Sequence, residues 1–289
     1  DGGDAAGGES DVGEGVDVVG RVDDAAADEI ARDLRLIRKK NKAKAVVLRV
    51  NSPGGGVTAS ETIEREVVLL ASEVPVVVSM GSMAASGGYW ISSQSDHIFA
   101  QRETITGSIG VFGLSMDFKK LAESVGVTGD VVKTSPHADV FSYMRPKTEE
   151  ELALVQEVVD DFYERFLKKV AKGRGLSEDV VAAIAQGRVW SGRDARQNGL
   201  VDEFGGLQDA IDYAAKLAQL PAGYKVTEYP RKRESMEFFR EILGVELESH
   251  ALPPFANLMN RVEKALGAWS RLDDPRGAYA LIPWHLHMP

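Results

Sequence analysis

Two short apolar runs, each ending in a cluster of small residues, set the strongest limit on what this chain folds into. Ala45–Val50 leads into Asn51-Ser-Pro-Gly-Gly-Gly56, and Val76–Met80 leads into Gly81-Ser-Met-Ala-Ala-Ser-Gly-Gly-Tyr-Trp90. A strand that is apolar at every position is covered on both faces, the habit of parallel sheets. Each run therefore predicts a buried parallel strand, a tight turn and then a helix. Ligands of such sheets gather at the carboxyl ends of the strands. The two turns share that edge, one offering the Ser86 hydroxyl and the other bare backbone N–H groups. A nucleophile and an oxyanion hole are the minimum equipment for acyl transfer.

The rest of the chain alternates in the same way. Asp23–Ala43 repeats apolar residues at helical spacing (Ile30, Leu34, Ile37) and ends on Arg38-Lys-Lys40, which suits a helix C-terminus. Thr58–Ser72 is a second helix. Strands are predicted over His97–Ala100, within Thr104–Phe112 and over Asp130–Lys133, and helices over Asp117–Val125, Leu176–Gln186, Gly192–Asn198 and Leu207–Ala218. Pro146–Arg174 is the longest amphipathic stretch, with Leu154, Val158, Phe162, Phe166 and Val170 on one face. The predicted class is α/β, with a largely parallel sheet, flanking helices and a long projecting helix. Residues 1–22, rich in Gly and Asp, read as a flexible segment. Residues 23–220 read as the α/β unit. Residues 221–289 read as a helical extension, with helices over Glu234–Leu243 and Pro254–Trp269 and a terminal strand or arm over Tyr279–Trp284.

Composition removes several classes of function. A net charge of −10 over 289 residues argues against a nucleic-acid partner, which needs a basic face. The absence of cysteine excludes disulfides, thiolate metal sites and a Cys nucleophile. His285 and His287 alternate near the end, but two histidines without a third ligand make a poor metal site. No apolar run reaches the roughly 20 residues that span a bilayer. The chain opens Asp-Gly-Gly-Asp, without Met, and looks like a cut inside a longer protein.

Arg49-Val-Asn-Ser-Pro-Gly-Gly-Gly-Val57 and Gly81–Trp90 resemble the signal peptide peptidase A family, also called protease IV, which shares the Clp protease and crotonase fold. The likeness continues through Thr106-Gly-Ser-Ile-Gly110, Lys133–Val140, Ile184-Ala-Gln-Gly-Arg-Val-Trp190 and Gly199-Leu-Val-Asp202. It covers roughly residues 24–220. The tail, with Asp274-Pro-Arg-Gly-Ala-Tyr-Ala280, resembles the end of the long form of the family, which is built of two halves. By this resemblance Ser86 matches the serine nucleophile. Gly55 and Gly87 match the backbone donors of the oxyanion hole. Ser108 matches the serine that orients the catalytic lysine. In one-half relatives that lysine lies in the segment matching Lys133–Val140, where this chain has Ala138. In two-half relatives it comes from the N-terminal half. The resemblance thus implies a C-terminal half that carries the nucleophile without the base, its first strand lying ahead of Asp1.

A serine hydroxyl needs a base within hydrogen-bond reach, and a lysine serves only if its pKa is lowered. His137 and Lys133 are the other candidate bases near the matched segment. The implied activity is a Ser-Lys endopeptidase acting on signal-peptide remnants and other apolar peptides, with no cofactor and no metal. The family further implies homo-oligomers, pairing with the N-terminal half, and a membrane anchor outside this chain. Its location would be the cytoplasmic membrane facing the periplasm, or the thylakoid membrane. Two alternatives stand beside this: a catalytically incomplete assembly or binding module, and a crotonase-type enzyme acting on a CoA thioester. The last wants a glutamate near the site, and none adjoins Ser86–Gly88.

Overall fold

The computed structural model describes residues 15–19, 27–229 and 278–281. Its main sheet is built around β2 (Ala43–Ser52) and β4 (Val76–Ala85), which lie side by side and parallel. β1 (Gly15–Val19) pairs with the other edge of β2, and β10 (Lys225–Tyr229) pairs with β1. On the far side β5 (His97–Ala100) pairs with β4, and β9 (Glu203–Phe204) with β5. Every one of these pairings is parallel.

Residues alternate across this sheet as strand geometry requires. Val46, Leu48 and Val50 of β2 face α1 (Ala27–Lys40) and α2 (Val57–Ala71), within a core that also holds Val78, Met80, Tyr89, Trp90 and Phe166. Ala45 and Val47 face the other way, with Val77 and Phe99, against Ala210, Ile211 and Ala214 of α8 (Leu207–Leu217). Both faces are covered, which accounts for the largely apolar runs.

Two expectations are corrected at the sheet edge. The opening segment is not wholly flexible, because Gly15–Val19 is β1, with Val16 fully buried. The first strand is thus present within the chain rather than ahead of Asp1. Nor does the unit end at residue 220, since β10 closes the same sheet beyond Pro221. The helices expected over Glu234–Leu243 and Pro254–Trp269 lie outside the described residues. The terminal strand is described as β11 (Ala278–Leu281).

α5 (Glu149–Arg174) starts at a capping box between Thr148 and Glu151 and stops at Gly175 in the left-handed conformation. Its C-terminal half packs into the core through Phe166, Val170 and Ala171, while Leu152, Leu154 and Val158 near its start are exposed. The helix therefore projects from the core by its N-terminal half. The arm that precedes it, residues 114–147, holds α4 (Lys119–Ser124) and exposes Leu121, Val125, Val132, Phe141 and Tyr143. The strand expected over Asp130–Lys133 is absent. Those residues lie on no sheet edge and are exposed, so nothing supplies the ladder that would extend them.

Candidate active site

The end of β4 is built irregularly. Val50 pairs with Met80, but Ser52 pairs with Ala84, so β4 carries two more residues than β2 across that step. The side chain of Asn51 holds this bulge, its Oδ1 accepting from Ser82 Oγ at 3.0 Å and from the Met83 N–H at 3.2 Å. A Cβ at Gly81 would stand 2.6 Å from the same oxygen, so a larger residue there would push the Asn51 side chain off the bulge. Past the bulge β4 takes a new neighbour. β6 (Ile105–Gly107) pairs with Met83–Ala85 on the edge where β5 has ended. The Thr106 hydroxyl donates to the Ala84 carbonyl at 2.7 Å.

Ser86 sits where β4 becomes α3 (Gly87–Ser92). Its φ of 54° and ψ of −115° lie in a sparsely populated region for a residue with a Cβ, which costs about 1–3 kcal/mol. The backbone is fixed on both sides. The Ser86 N–H donates to the Gly107 carbonyl at 2.8 Å, and the Ser86 carbonyl accepts from the Trp90 N–H at 2.8 Å. The hydroxyl is buried and has no hydrogen-bond partner among the described residues. A strained strand-to-helix turn that presents a hydroxyl is the geometry of a nucleophile elbow. Gly87 opens α3, so its N–H belongs to the first helical turn and has no intrahelical acceptor.

The helix behind Ser86 is anchored by its larger side chains. Tyr89 is buried and its hydroxyl donates to the Leu200 carbonyl at 2.9 Å, and burial pushes that phenol well above its ordinary pKa. Trp90 packs on Phe166 with ring centres 4.5 Å apart, and its Nε1 donates to Glu61 at 3.2 Å. Lys169 of α5 pairs with Glu61 at 3.1 Å and with the buried Glu64 at 2.8 Å. Burial raises the Glu64 carboxyl, and Lys169 opposes the rise.

The glycine run forms β3 (Gly54–Gly56), which packs directly against α3. Gly54 has a φ of 111°, and its N–H donates to Ser52 Oγ at 3.2 Å. β11 lies antiparallel on β3, with Ala280 opposite Gly55, and its other edge pairs with β7 (Phe112–Gly113). The glycine strand and β7 thus flank an extended backbone that also touches α3.

The structure puts Ser86 and Gly87 at the end of β4 and Ser108 at the end of the adjoining β6, while Gly55 lies in a second sheet of β3, β11 and β7 that packs against α3. Ser108 directly follows β6, whose Gly107 carbonyl holds the Ser86 N–H. It is buried, its φ is 49°, and its N–H donates to the Arg188 carbonyl at 2.7 Å.

Ala138 and its neighbours belong to the arm instead. Ala138 is exposed. The Lys133 amine is bound by Asp139 at 3.1 Å and by the Pro136 carbonyl at 3.0 Å. His137 lies 3.5 Å from Glu150. Lys133 is thus engaged within the arm, whereas His137 has only its Nε2 near Glu150, and its buried Nδ1 has no hydrogen-bond partner among the described residues. Arg145 ties the arm down, donating to both carboxylate oxygens of Asp139 at 2.7 and 2.8 Å and to Glu151 at 2.7 Å. Those hydrogen bonds hold both carboxyls well below the usual carboxylate range. Sequence reasoning passed over Asn51, Trp90, Glu61 and Arg145. Of these, Asn51 and Trp90 were signalled, by their places in the matched motifs.

Among the described residues no cluster of three or more His, Asp or Glu side chains is placed to hold a metal ion. No helix there is long and apolar enough to cross a membrane.

The sequence profile of Peptidase family S49 matches residues 69–221, more than half of the chain. The Clp protease profile matches residues 13–101, and the fold is Clp protease-like. Protease 4 of Haemophilus influenzae is 39% identical over 92% of this chain and 45% of its own length. Protease 4 of Salmonella typhi is 40% identical over 88% of this chain and 42% of its own. The chain therefore spans less than half the length of these relatives. The chloroplastic serine protease SPPA of Arabidopsis thaliana is 38% identical over 70% of the chain and 30% of its own length. Among solved structures, a ClpP1 mutant from Listeria monocytogenes covers 70% of the chain and 95% of its own, at 17% identity and a TM-score of 0.45. By the profile match and the identity to its relatives, this chain is a member of peptidase family S49.

Proposed function

We propose that this chain is the nucleophile-bearing part of a serine endopeptidase that cleaves extended apolar peptides such as signal-peptide remnants. The observation that carries the reading is the Ser86 hydroxyl, buried without a partner on a strained turn beside the glycine strand. A buried hydroxyl left unsatisfied costs about 1–3 kcal/mol, and such costs persist where function uses them.

In the proposed reaction a neutral amine takes the Ser86 proton while Oγ bonds to the peptide carbonyl carbon. The Gly87 and Gly55 N–H groups hold the resulting oxyanion. Collapse breaks the C–N bond, and the ammonium returns its proton to the leaving amine. Water, deprotonated by the same amine, then releases the acyl group and restores the Ser86 hydroxyl. The amine is a lysine supplied from outside this chain, in keeping with Ala138 at the matched position, and Ser108 orients it. The strand β11 supports peptide recognition, because an extended backbone already fits between β3 and β7. The same reading has the chain self-associate, pair with an N-terminal half and reach the membrane through a segment outside this sequence.

A fluorophosphonate probe with mass-spectrometric mapping tests the nucleophile. Modification is expected at Ser86 alone, and faster when the remaining part of the protein is present. Modification of another serine, or equal labelling of Ser86→Ala, would overturn the reading.

A further inference from the structure

A cavity of about 400 Å³ lies between α1, α2, α3 and α5, apart from the nucleophile and glycine strand. Cavities of this size hold small organic ligands. Part of its wall is apolar, formed by Val57, Trp90 and Phe162. Its rim carries three guanidiniums, Arg35, Arg65 and Arg165, and two carboxylates, Glu61 and Glu66.

The charges at this cavity are not evenly matched. Glu66 is already held by Arg35 at 2.7 Å and by Arg38 at 3.5 Å. Glu61 is held by Lys169 and by the Trp90 indole. Arg165 pairs with Asp161 at 2.9 Å. Arg65 is exposed, one turn of α2 beyond Glu61, and has no ion-pair partner among the described residues. Each carboxylate of the cavity has a protein partner, while the Arg65 guanidinium faces solvent beside an apolar wall and is free to take up an anion. A guanidinium presents a planar fork that matches a carboxylate in two hydrogen bonds.

We propose that this cavity binds a small carboxylate with an apolar body, its head on Arg65 and its body against Trp90 and Phe162. The chemistry is shared by a short acyl carboxylate and by the C-terminus of a short apolar peptide. The inference does not depend on the peptidase reading, since binding is measured directly and Ser86 takes no part.

Calorimetry on the whole chain tests it with octanoate, octanamide, an acetylated Ala-Leu-Ala acid and its C-terminal amide. At least one carboxylate is expected to bind about tenfold or more tightly than its own amide, and the pair that does so names the source. Arg65→Gln is expected to remove that preference, and Arg65→Lys to restore part of it. Arg65 is exposed, so these variants leave the fold intact, which circular dichroism checks. Equal binding of acid and amide, no binding of either acid, or a preference unchanged in Arg65→Gln would each overturn the proposal.

Discussion

At Ser86 stability and reactivity pull in opposite directions. The residue keeps a positive φ and a buried hydroxyl without a partner. Removing that hydroxyl removes an unsatisfied polar group, whose burial costs about 1–3 kcal/mol. Ser86→Ala is therefore expected to lose probe reactivity and to melt no lower than the parent, with a gain of about 1 kcal/mol. A clear fall in melting temperature would mean that the hydroxyl is structurally bonded. Gly88 makes the contrary case. A Cβ there would stand 2.8 Å from the Ser52 carbonyl oxygen, a backbone atom that cannot swing aside. Gly88→Ala is expected to destabilise by about 1–3 kcal/mol, as overpacking does, and to slow Ser86 labelling by shifting α3. Labelling and melting both at parental values would show that α3 tolerates the shift.

At the scale of elements, the arm and the terminal strand carry the testable consequences. Arg145 holds Asp139 and Glu151 in their charged forms, so both fold with lowered pKa values. A lowered folded pKa gives stability that is complete above the unfolded value and is lost as pH falls through the folded one. For Glu151 that window runs from its ordinary 4.5 down to about 2. Carboxyl titration by NMR is expected to place Glu151 near 2 in the parent and to move it up toward its ordinary value in Arg145→Leu, part of the lowering remaining from the Thr148 N–H. A parental midpoint near 4.5 would show that the clamp is open in solution. A peptide docking between β3 and β7 uses the backbone edges that β11 occupies. Deleting residues 278–289 is therefore expected to tighten binding of an alanine- and leucine-rich peptide, read by fluorescence anisotropy. Unchanged affinity would mean that peptides bind elsewhere.

These elements also show what a sequence conveys. The central strands β2 and β4 are legible because burial on both faces makes their middles, Ala45–Leu48 and Val76–Val78, apolar. β1 and the edge strand β10 are not, because each is short and they pair with each other across more than 200 residues, Gly15 with Lys225. The run Asp130–Lys133 has strand-like residues but no edge to join, so it remains irregular. At the site, Ser86 and the glycine run could be picked out by their position after those strands. The bulge held by Asn51 could not, because it depends on a side chain from the neighbouring strand.

At the scale of the whole molecule, the chain sets Ser86 at the end of β4, packs the glycine strand β3 against α3, and lays β11 between β3 and β7. Of the two candidate bases in the arm, Lys133 is tied to Asp139 and His137 lies 3.5 Å from Glu150. A hydroxyl without a base is a weak nucleophile, so the proposed chemistry is completed by an amine from the remainder of a longer protein. The chain's coverage of less than half of each Protease 4 relative leaves room for such a partner. The most direct measurement is cleavage of a fluorogenic alanine- and leucine-rich peptide by three samples: this chain alone, the same chain within a full-length protein, and that protein carrying Ser86→Ala. Cleavage by the intact protein alone is the expected result. Cleavage that survives Ser86→Ala would contradict the assignment of the nucleophile, and cleavage by the isolated chain would contradict the supply of the base from outside it.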